Sequence, residues 1–304
     1  MKNCLTAALA GAALALAGCA KWVCVGENLG TRIDALDGAL WQESEWISAP
    51  DAPVFDGKSK DGARAADGTS WFVGEIENAA DVVEAKWMTA GLGVYELYVN
   101  GVSVGTDEAL KPGFTDVKKT RRSFTYDITF PFSKKAGAKN VLAAEVSAGW
   151  WRDKIVNFHG KKSAFRGVLQ VTYADGSVKV YGTKAGEWKA GVGGPVTHAA
   201  IFDGEEYDAR VRSPWFGGES FKPAEKNEEF KGEILPSEGA EVRRRWDLML
   251  NPVEAYVWQG VDGADESNKV FGTVHKLRDV SFRSTVLPKP VVLAKGETLV
   301  VDFG

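Results

Sequence analysis

The sequence predicts an all-β protein, with an antiparallel, jelly-roll-like β-sandwich followed by the start of a second β-sandwich. Between residues 71 and 212, short apolar runs alternate with turn signals at spacings of about 8–12 residues, which is typical of sandwiches. The same region has no amphipathic pattern long enough for a helix of more than about three turns. The chain also contains 34 glycines and 11 tryptophans, a composition that favours turns and strands.

Local patterns place the strands of the first sandwich. They are predicted at residues 71–73, 82–89, 94–99, 102–104, 123–128, 141–148, 167–173, 178–181 and 195–202. In the second of these runs, strict alternation puts Val83, Ala85 and Trp87 on one face. Asn100-Gly101 and Asp175-Gly176 each separate two apolar runs, and such pairs are strong signals for tight hairpin turns.

Composition divides the rest of the chain into segments. Residues 19–45 have no sustained period and are expected to form a tether, and the sandwich is expected over residues 46–212. Residues 213–240 are polar, charged and interrupted by Pro and Gly, which predicts a linker. Residues 241–304 are expected to begin the second sandwich, with strand-like runs at 255–258, 270–274, 281–286, 290–293 and 299–304.

The first 18 residues resemble a bacterial lipoprotein signal peptide. Lys2 precedes an apolar stretch that ends at Leu16-Ala17-Gly18-Cys19, where small residues allow cleavage and the Cys19 thiol accepts lipid. We therefore expect an exported protein that is lipid-anchored to the bacterial cell envelope, facing the periplasm or the cell surface. The alternative is an ordinary secretory signal in which Cys19 is incidental.

Charge and motif content exclude several function classes. Formal net charge is −4, which gives no electrostatic case for nucleic acid as a partner. The three histidines lie at positions 159, 198 and 275 without metal-ligand spacing, so neither a metal nor a cofactor is predicted. The nucleotide-binding P-loop, the GxSxG element and the HExxH motif are all absent from the sequence.

Several motifs occur in an order that resembles one known family. They are Val99-Asn100-Gly101, Pro112-Gly113 with Thr115-Asp116, Gly149-Trp150-Trp151, the run from Tyr173 to Ser177, and the run from Asp203 to Arg210. Together they resemble the N-terminal β-sandwich of bacterial α-L-rhamnosidases of glycoside hydrolase family 78, closely over residues 46–212 and loosely over 241–304. The resemblance implies that the catalytic acid and base lie in a C-terminal (α/α)6 barrel that this sequence does not contain.

An acidic cluster in the last of these motifs is one candidate site. Inverting glycoside hydrolysis requires two carboxylates about 6.5–9.5 Å apart. If residues 202–210 form a strand, Glu206, Asp208 and Arg210 share one face. Asp208 and Arg210 are best explained as an ion pair that fixes the strand, with a domain interface or a sugar contact as the alternative.

The segment Gly149-Trp150-Trp151-Arg152-Asp153 is the other candidate site. Indole rings pack on the C–H faces of sugars, and Arg and Asp side chains bind hydroxyl groups. On an extended chain adjacent tryptophans point to opposite sides, so at most one ring lines a groove and the other is expected in the core. No catalytic residue is predicted. The candidates for carbohydrate binding or a domain interface are Trp150, Trp151, Arg152, Asp153, Glu206, Asp208 and Arg210.

These observations favour the non-catalytic N-terminal portion of an exported α-L-rhamnosidase-like glycoside hydrolase. Its expected partners are the missing catalytic domain, a lipid anchor and a rhamnose-containing glycan. The alternatives are a stand-alone surface lipoprotein that binds carbohydrate without hydrolysing it, and a structural remnant with neither activity. The sequence stops after Asp302-Phe303-Gly304, inside a motif of the family, which favours a fragment of a longer protein.

Overall fold

A computed structural model describes residues 30–54, 68–212, 221–238, 241–248, 250–259, 275–280 and 291–304. The chain divides into two compact units, Met1–Arg244 and Arg245–Gly304. Regular structure in the described residues is almost entirely antiparallel β-sheet, which confirms the predicted all-β sandwich class. The signal peptide, Cys19 and the strands predicted at 270–274 and 281–286 lie outside the described residues.

The first unit contains sixteen described strands. They are β1 Thr31–Ile33, β2 Ile47–Ser48, β3 Ser70–Glu77, β4 Val82–Leu92, β5 Val94–Val99, β6 Val102–Val104, β7 Thr120–Asp127, β8 Lys139–Ser147, β9 Ala164–Tyr173, β10 Val178–Gly182, β11 Lys189–Val192, β12 Val196–Ala200, β13 Gly204–Tyr207, β14 Lys222–Pro223, β15 Glu225–Lys226 and β16 Glu233–Pro236. Among the described residues of this unit, helical structure is limited to α1 Gly149–Arg152 and to 3-10 turns at Gly38–Glu43 and Lys154–Val156.

Two sheets pack face to face in this unit. The larger has the order β1-β7-β4-β9-β2-β15, with β10 paired to β9 and β16 paired in parallel to β7. The smaller has the order β14-β11-β3-β8-β5-β6. Side chains that alternate along the central strands fill the space between the sheets, with Trp87, Phe165 and Leu169 from the larger sheet meeting Phe72 and Leu97 from the smaller.

A second apolar layer covers the outer face of the larger sheet. Met88 and Val168, which alternate with inward-facing residues, are buried there under Trp41, Trp46 and Trp151. This aromatic cover gives three tryptophans that lie outside the predicted strands a place in the core. The loops that contribute these rings are therefore part of the core.

The hairpin predicted at Asn100-Gly101 is present, and its first strand has the predicted bounds, Val94–Val99. Asn100 has φ 49° and Gly101 has φ 79°, the left-handed conformations that a type I′ turn requires. The strand β4, in contrast, departs from strict alternation. The pairing with β9 shifts by one residue between Val82 and Glu84, which leaves Val83 exposed while Ala85 and Trp87 are buried. The expectation that Val83 shares their face is wrong, because a β-bulge interrupts the period.

The expected tether also contributes to the sandwich. Residues Thr31–Ile33 pair with the edge of β7, and Trp41 is buried on the outer face of the larger sheet. Arg166 donates to the carbonyl of Ser44 at 2.7 Å, which holds the 3-10 turn in place. Part of the expected linker behaves similarly, since Glu233–Pro236 pairs with β7. Strands of two to four residues are too short to produce a detectable hydrophobic period.

The second unit contains a three-stranded antiparallel sheet in the order β18-β17-β19, formed by Glu254–Gln259 (β17), His275–Asp279 (β18) and Glu297–Asp302 (β19), and a 3-10 turn at Trp246–Leu248. The runs predicted at 255–258 and 299–304 correspond to β17 and β19. The strand β18 was not predicted, and residues 291–293 are not in a strand. Within the described ranges, no helix is long and apolar enough to cross a membrane.

Candidate functional site

A partly exposed apolar surface lies where the loop after β6 meets the helical turn α1, and its members are Leu110 and the rings of Phe114 and Trp150. We call this surface the aromatic ledge. The Trp150 indole Nε1 donates to the carbonyl of Leu110 at 2.9 Å. The rings of Phe114 and Trp150 are 5.8 Å apart in an edge-to-face arrangement, and Phe114 is 61% exposed. The ledge therefore presents apolar rings to solvent in a fixed geometry.

A buried lysine holds the loop that carries Leu110 and Phe114. The Lys111 Nζ atom, which is shielded from solvent, lies 2.9 Å from a carboxylate oxygen of Glu96 and 2.8 Å from the carbonyl of Gly105. The backbone N–H of Tyr95 donates to the Lys111 carbonyl at 3.0 Å. A buried ammonium group requires such partners, so this loop is anchored to β5 rather than free.

Trp151, the neighbour of Trp150, is a core residue. It is buried, donates from Nε1 to the carbonyl of Lys162 at 3.0 Å, and packs edge-on against Phe230. The buried guanidinium of Arg121 lies 4.9 Å from the Trp151 ring, and burial lowers the pKa of Arg121 to about 10. The two tryptophans do separate into surface and core. The expected extended chain is wrong, however, because α1 makes a helical turn there.

Arg152 and Asp153 are also buried, and their contacts are internal. Arg152 Nε donates to Ser163 Oγ at 3.2 Å. One oxygen of Asp153 accepts the N–H of Lys154, and the other accepts the N–H of Ile201 at 2.8 Å. Asp153 thus begins a 3-10 turn and fixes the tip of the hairpin formed by β12 and β13.

The β12–β13 hairpin forms a two-stranded sheet that is separate from both layers of the sandwich. Its second strand is only Gly204–Tyr207, so the strand predicted over residues 202–210 is too long. The expectation that Glu206, Asp208 and Arg210 share one face of a strand is therefore wrong, because only Glu206 lies in the strand. Asp208 and Arg210 lie in the turn that follows. Phe202 and Tyr207 are exposed large side chains of this hairpin.

Asp208 and Arg210 form the expected ion pair. The Asp208 carboxylate receives Arg210 Nε at 2.8 Å and Nη2 at 2.6 Å. These hydrogen bonds hold the pKa of Asp208 below its ordinary value, so the carboxyl is ionised at neutral pH. A general acid needs the opposite shift, towards the working pH. Asp208 is therefore suited to fixing the turn and unsuited to protonating a leaving group.

The structure brings the two sequence-predicted clusters together at one point. Ile201 contacts Asp153, and Lys154 lies 4.0 Å from Asp203. Glu206 is exposed on the hairpin, with its carbonyl accepting from Thr197 Oγ1. Of the predicted residues, Trp150 is the one that belongs to the aromatic ledge, where it is partly exposed. Sequence reasoning missed Phe114, although an aromatic residue directly after a Pro-Gly turn is a usable signal for an exposed ring.

No group of three or more His, Cys, Asp or Glu side chains in the described part of the chain could hold a metal ion. The chemistry available at the ledge and the hairpin is therefore apolar contact with rings, together with hydrogen bonding by exposed carboxylates.

Comparison with known proteins identifies relatives of the first unit. A family model described as the alpha-L-rhamnosidase N-terminal domain matches residues 80–245. An α-L-rhamnosidase of Streptomyces avermitilis is 39% identical over 133 residues, which cover 42% of this chain and 12% of that protein. An α-L-rhamnosidase of Alteromonas sp. (strain LOR) is 33% identical over 132 residues, or 42% of this chain and 14% of that protein. The chain thus matches less than a fifth of the length of these two relatives.

Solved structures show the same fold. The native α-L-rhamnosidase of Aspergillus terreus superimposes with a TM-score of 0.58 at 21% identity, over 73% of this chain and 27% of that chain. The α-L-rhamnosidase of Streptomyces avermitilis complexed with L-rhamnose gives a TM-score of 0.55 at 26% identity, over 65% of this chain and 21% of that chain.

Proposed function

Because this chain belongs to the α-L-rhamnosidase N-terminal domain family, we propose that it is the non-catalytic front part of an exported α-L-rhamnosidase-like glycoside hydrolase. In this proposal the full protein releases terminal L-rhamnose, and the bond-breaking carboxylates belong to polypeptide outside this chain. The sandwich supports that catalytic domain and contacts the glycan. The likeness to α-L-rhamnosidases that are several times longer supports the assignment of catalysis to polypeptide outside this chain.

The proposed contact with a glycan rests on the aromatic ledge. The Phe114 ring is exposed and the Trp150 ring is partly exposed, and the hydrogen bond from Trp150 to Leu110 fixes the orientation of the indole, so binding would require little ordering of side chains. The C–H faces of a sugar can pack on Trp150 while its hydroxyl groups remain in water. We place a rhamnose-containing glycan on this surface.

Binding of a rhamnose-terminated oligosaccharide to the purified chain, measured by calorimetry, tests this proposal. Trp150→Ala removes the larger ring, and we expect the affinity to fall about tenfold or more, a loss typical of a stacked aromatic contact. The matched control is Phe130→Ala, which removes a ring that is 75% exposed but lies outside the ledge. No binding by the parent chain, or equal effects of the two variants, would remove the glycan from the proposal.

We further propose that the β12–β13 hairpin faces the catalytic domain. It belongs to neither sheet, its tip is fixed by Asp153, and Phe202 and Tyr207 expose apolar surface that a neighbouring domain would cover. In a longer protein, Phe202→Ser and Tyr207→Ser should weaken the coupling between the domains, seen as two separate thermal transitions in place of one. A single unchanged thermal transition in both variants would argue against a contact between the hairpin and the catalytic domain.

A further inference from the structure

Three exposed apolar side chains lie at one end of the sandwich in the first unit. Phe130 is 75% exposed, Val83 is 58% exposed and Val178 is 54% exposed. Phe130 follows the end of β7, Val83 lies at the start of β4, and Val178 begins β10. We call these three side chains the end patch. Large apolar side chains that share one exposed region indicate a contact with another protein or with a membrane.

The strand registers place the members of the end patch at the same end of the larger sheet. Lys86 in β4 is paired with Asp127 in β7 and with Gln170 in β9. Gln170 is paired with Val180 in β10, so one row of residues crosses the sheet. The members of the end patch are two or three positions beyond this row, all in the same direction. At about 3.3 Å per residue, they lie within about 10 Å of the row along the strands.

The chain enters the sandwich at this end as well. Thr31, the first residue of β1, is paired with Asp127, and β1 is antiparallel to β7. Gly30, which precedes β1, therefore lies on the side of the row that carries the end patch. Cys19, the proposed lipid acceptor, is eleven positions before Gly30. A chain of that length spans at most about 40 Å, so a lipid at Cys19 would hold this end of the sandwich near the bilayer.

The aromatic ledge lies at the opposite end of the sandwich. The loop that carries Phe114 precedes Thr120 at the start of β7, whereas Phe130 follows Asp127 at the end of the same strand. Trp150 contacts the Phe114 ring and so belongs to the same end as that loop. The eight residues of β7 separate the two ends by about 23 Å. A contact between the end patch and a bilayer would therefore leave the ledge facing away from the membrane, where a glycan can reach it.

Exposed charged groups of both signs accompany the end patch. Lys134 is exposed, and its carbonyl accepts the N–H of Val82 at 2.7 Å, which places this lysine beside the start of β4. Lys179 follows Val178 and is exposed, and Asp175 is exposed in the turn before β10. Lysine stems can lie along an apolar surface while their ammonium groups reach phosphate groups. Because the charges oppose one another, we expect apolar contact to contribute more than attraction to anionic lipid.

We propose that the end patch contacts the surface of a phospholipid bilayer, with the Phe130 ring inserted among the lipid headgroups. This inference rests on the proposed lipid anchor at Cys19. One ring and two valines bury too little area to hold a protein on a membrane by themselves. On an anchored chain, however, they determine which end of the sandwich faces the bilayer.

Quenching of a fluorescent label by aqueous iodide tests this contact in the lipidated chain, reconstituted into vesicles of phosphatidylethanolamine and phosphatidylglycerol. In a Cys24→Ala background, Ser133→Cys provides a labelling site three positions after Phe130, and Lys118→Cys provides the matched site before β7; both positions are exposed. The reference is the unlipidated Cys19→Ala chain in solution with the same labels. We expect vesicles to lower quenching at position 133 about threefold, because the headgroups exclude iodide, and to leave quenching at position 118 unchanged.

Two further variants and three outcomes decide the inference. Phe130→Ser should restore quenching of the label at position 133, whereas Phe114→Ser, which removes an exposed ring at the opposite end, should not. Equal relative quenching at the two label positions in a vesicle-bound chain would overturn the bilayer contact and leave the lipid anchor standing. Absence of lipid on Cys19 would overturn the anchor and the contact together. Protection of the label in solution that increases with protein concentration would assign the end patch to a second copy of the chain and overturn the inference as well.

Discussion

Buried polar side chains hold the loops of the sandwich in place, and asparagines provide a clear example. Asn140 is fully buried, and its Oδ1 accepts from Asn100 Nδ2 at 2.8 Å and from the N–H of Ser133 at 2.6 Å. Its Nδ2 donates to Asn78 Oδ1 at 3.1 Å. Asn100 also forms the predicted hairpin turn, so one network connects β8, that turn and the loop before β8.

We predict that Asn140→Ala lowers the free energy of unfolding by about 2–4 kcal/mol, because it leaves several buried donors and acceptors without partners. Urea denaturation measures this difference. The control, Asn251→Ala, changes an exposed asparagine and should alter stability by less than about 0.5 kcal/mol. Equal midpoints for the two variants would show that the network does not contribute.

Residue-scale features were only partly predictable from the sequence. The turn at Asn100-Gly101 was predictable because positive φ selects those residue types locally. The partners of Asn140 lie up to 62 positions away in sequence, and no local pattern reports such a pairing. The same holds for Trp150 and Trp151, since their separation into surface and core depends on contacts with Leu110 and Lys162.

At the scale of elements, β4 shows how a bulge changes which side chains are buried. Val82 is 6% exposed and Val83 is 58% exposed, although they are identical neighbours in one strand. Alternation counted backwards from Trp87 assigns Val83 to the core. The bulge shifts the register by one residue, so Val82 faces the core in its place.

This arrangement predicts opposite outcomes for the same substitution at adjacent positions. Val82→Ser should destabilise the protein by about 1.5–3 kcal/mol, because it removes a buried apolar side chain. Val83→Ser should change stability by less than about 0.5 kcal/mol, since the side chain is exposed. Thermal and urea denaturation of the two variants measure the contrast, and a larger loss at Val83 would mean that strict alternation holds.

Other elements show which strands a sequence pattern predicts and which it does not. The long central strands β4, β5, β8 and β9 were predicted because their faces are apolar over many residues. The strands β14 and β15 are two residues long and were not predicted, because their positions depend on pairing with other segments. The short strands β1 and β14 to β16 lie within the segments predicted as a tether and a linker, and each pairs with a strand that is distant in sequence.

At the scale of the whole molecule, the proposed envelope anchor depends on residues outside the described structure. Cys19 is the proposed lipid acceptor and Cys24 lies five positions further on, which provides a matched pair. We predict that Cys19→Ala abolishes metabolic labelling with a radioactive fatty acid and releases the protein from the membrane fraction. Cys24→Ala should leave both unchanged. Labelling that persists in Cys19→Ala would favour an ordinary secretory signal.

The proposed supporting role makes a prediction about hydrolysis by this chain. The carboxylate of Asp208 is held in its ionised form by Arg210, and both oxygens of Asp153 accept backbone N–H groups. Asp208 is therefore unsuited to give a proton to a glycosidic oxygen, and the Asp153 oxygens are engaged by the backbone. We therefore predict that the purified chain does not release an aromatic alcohol from an aryl α-L-rhamnoside, as measured by absorbance.

A chain extended by the coding sequence downstream of Gly304, if the gene supplies one, should gain this activity and lose it when acidic residues of the added segment are changed. Glu206→Gln in the extended chain should leave the catalytic rate within about twofold, because Glu206 is exposed on the hairpin and the reaction takes place elsewhere. Hydrolysis by the present chain that Glu206→Gln or Asp153→Asn abolishes would place the reaction in this sandwich. The assignment of a supporting role would then be wrong.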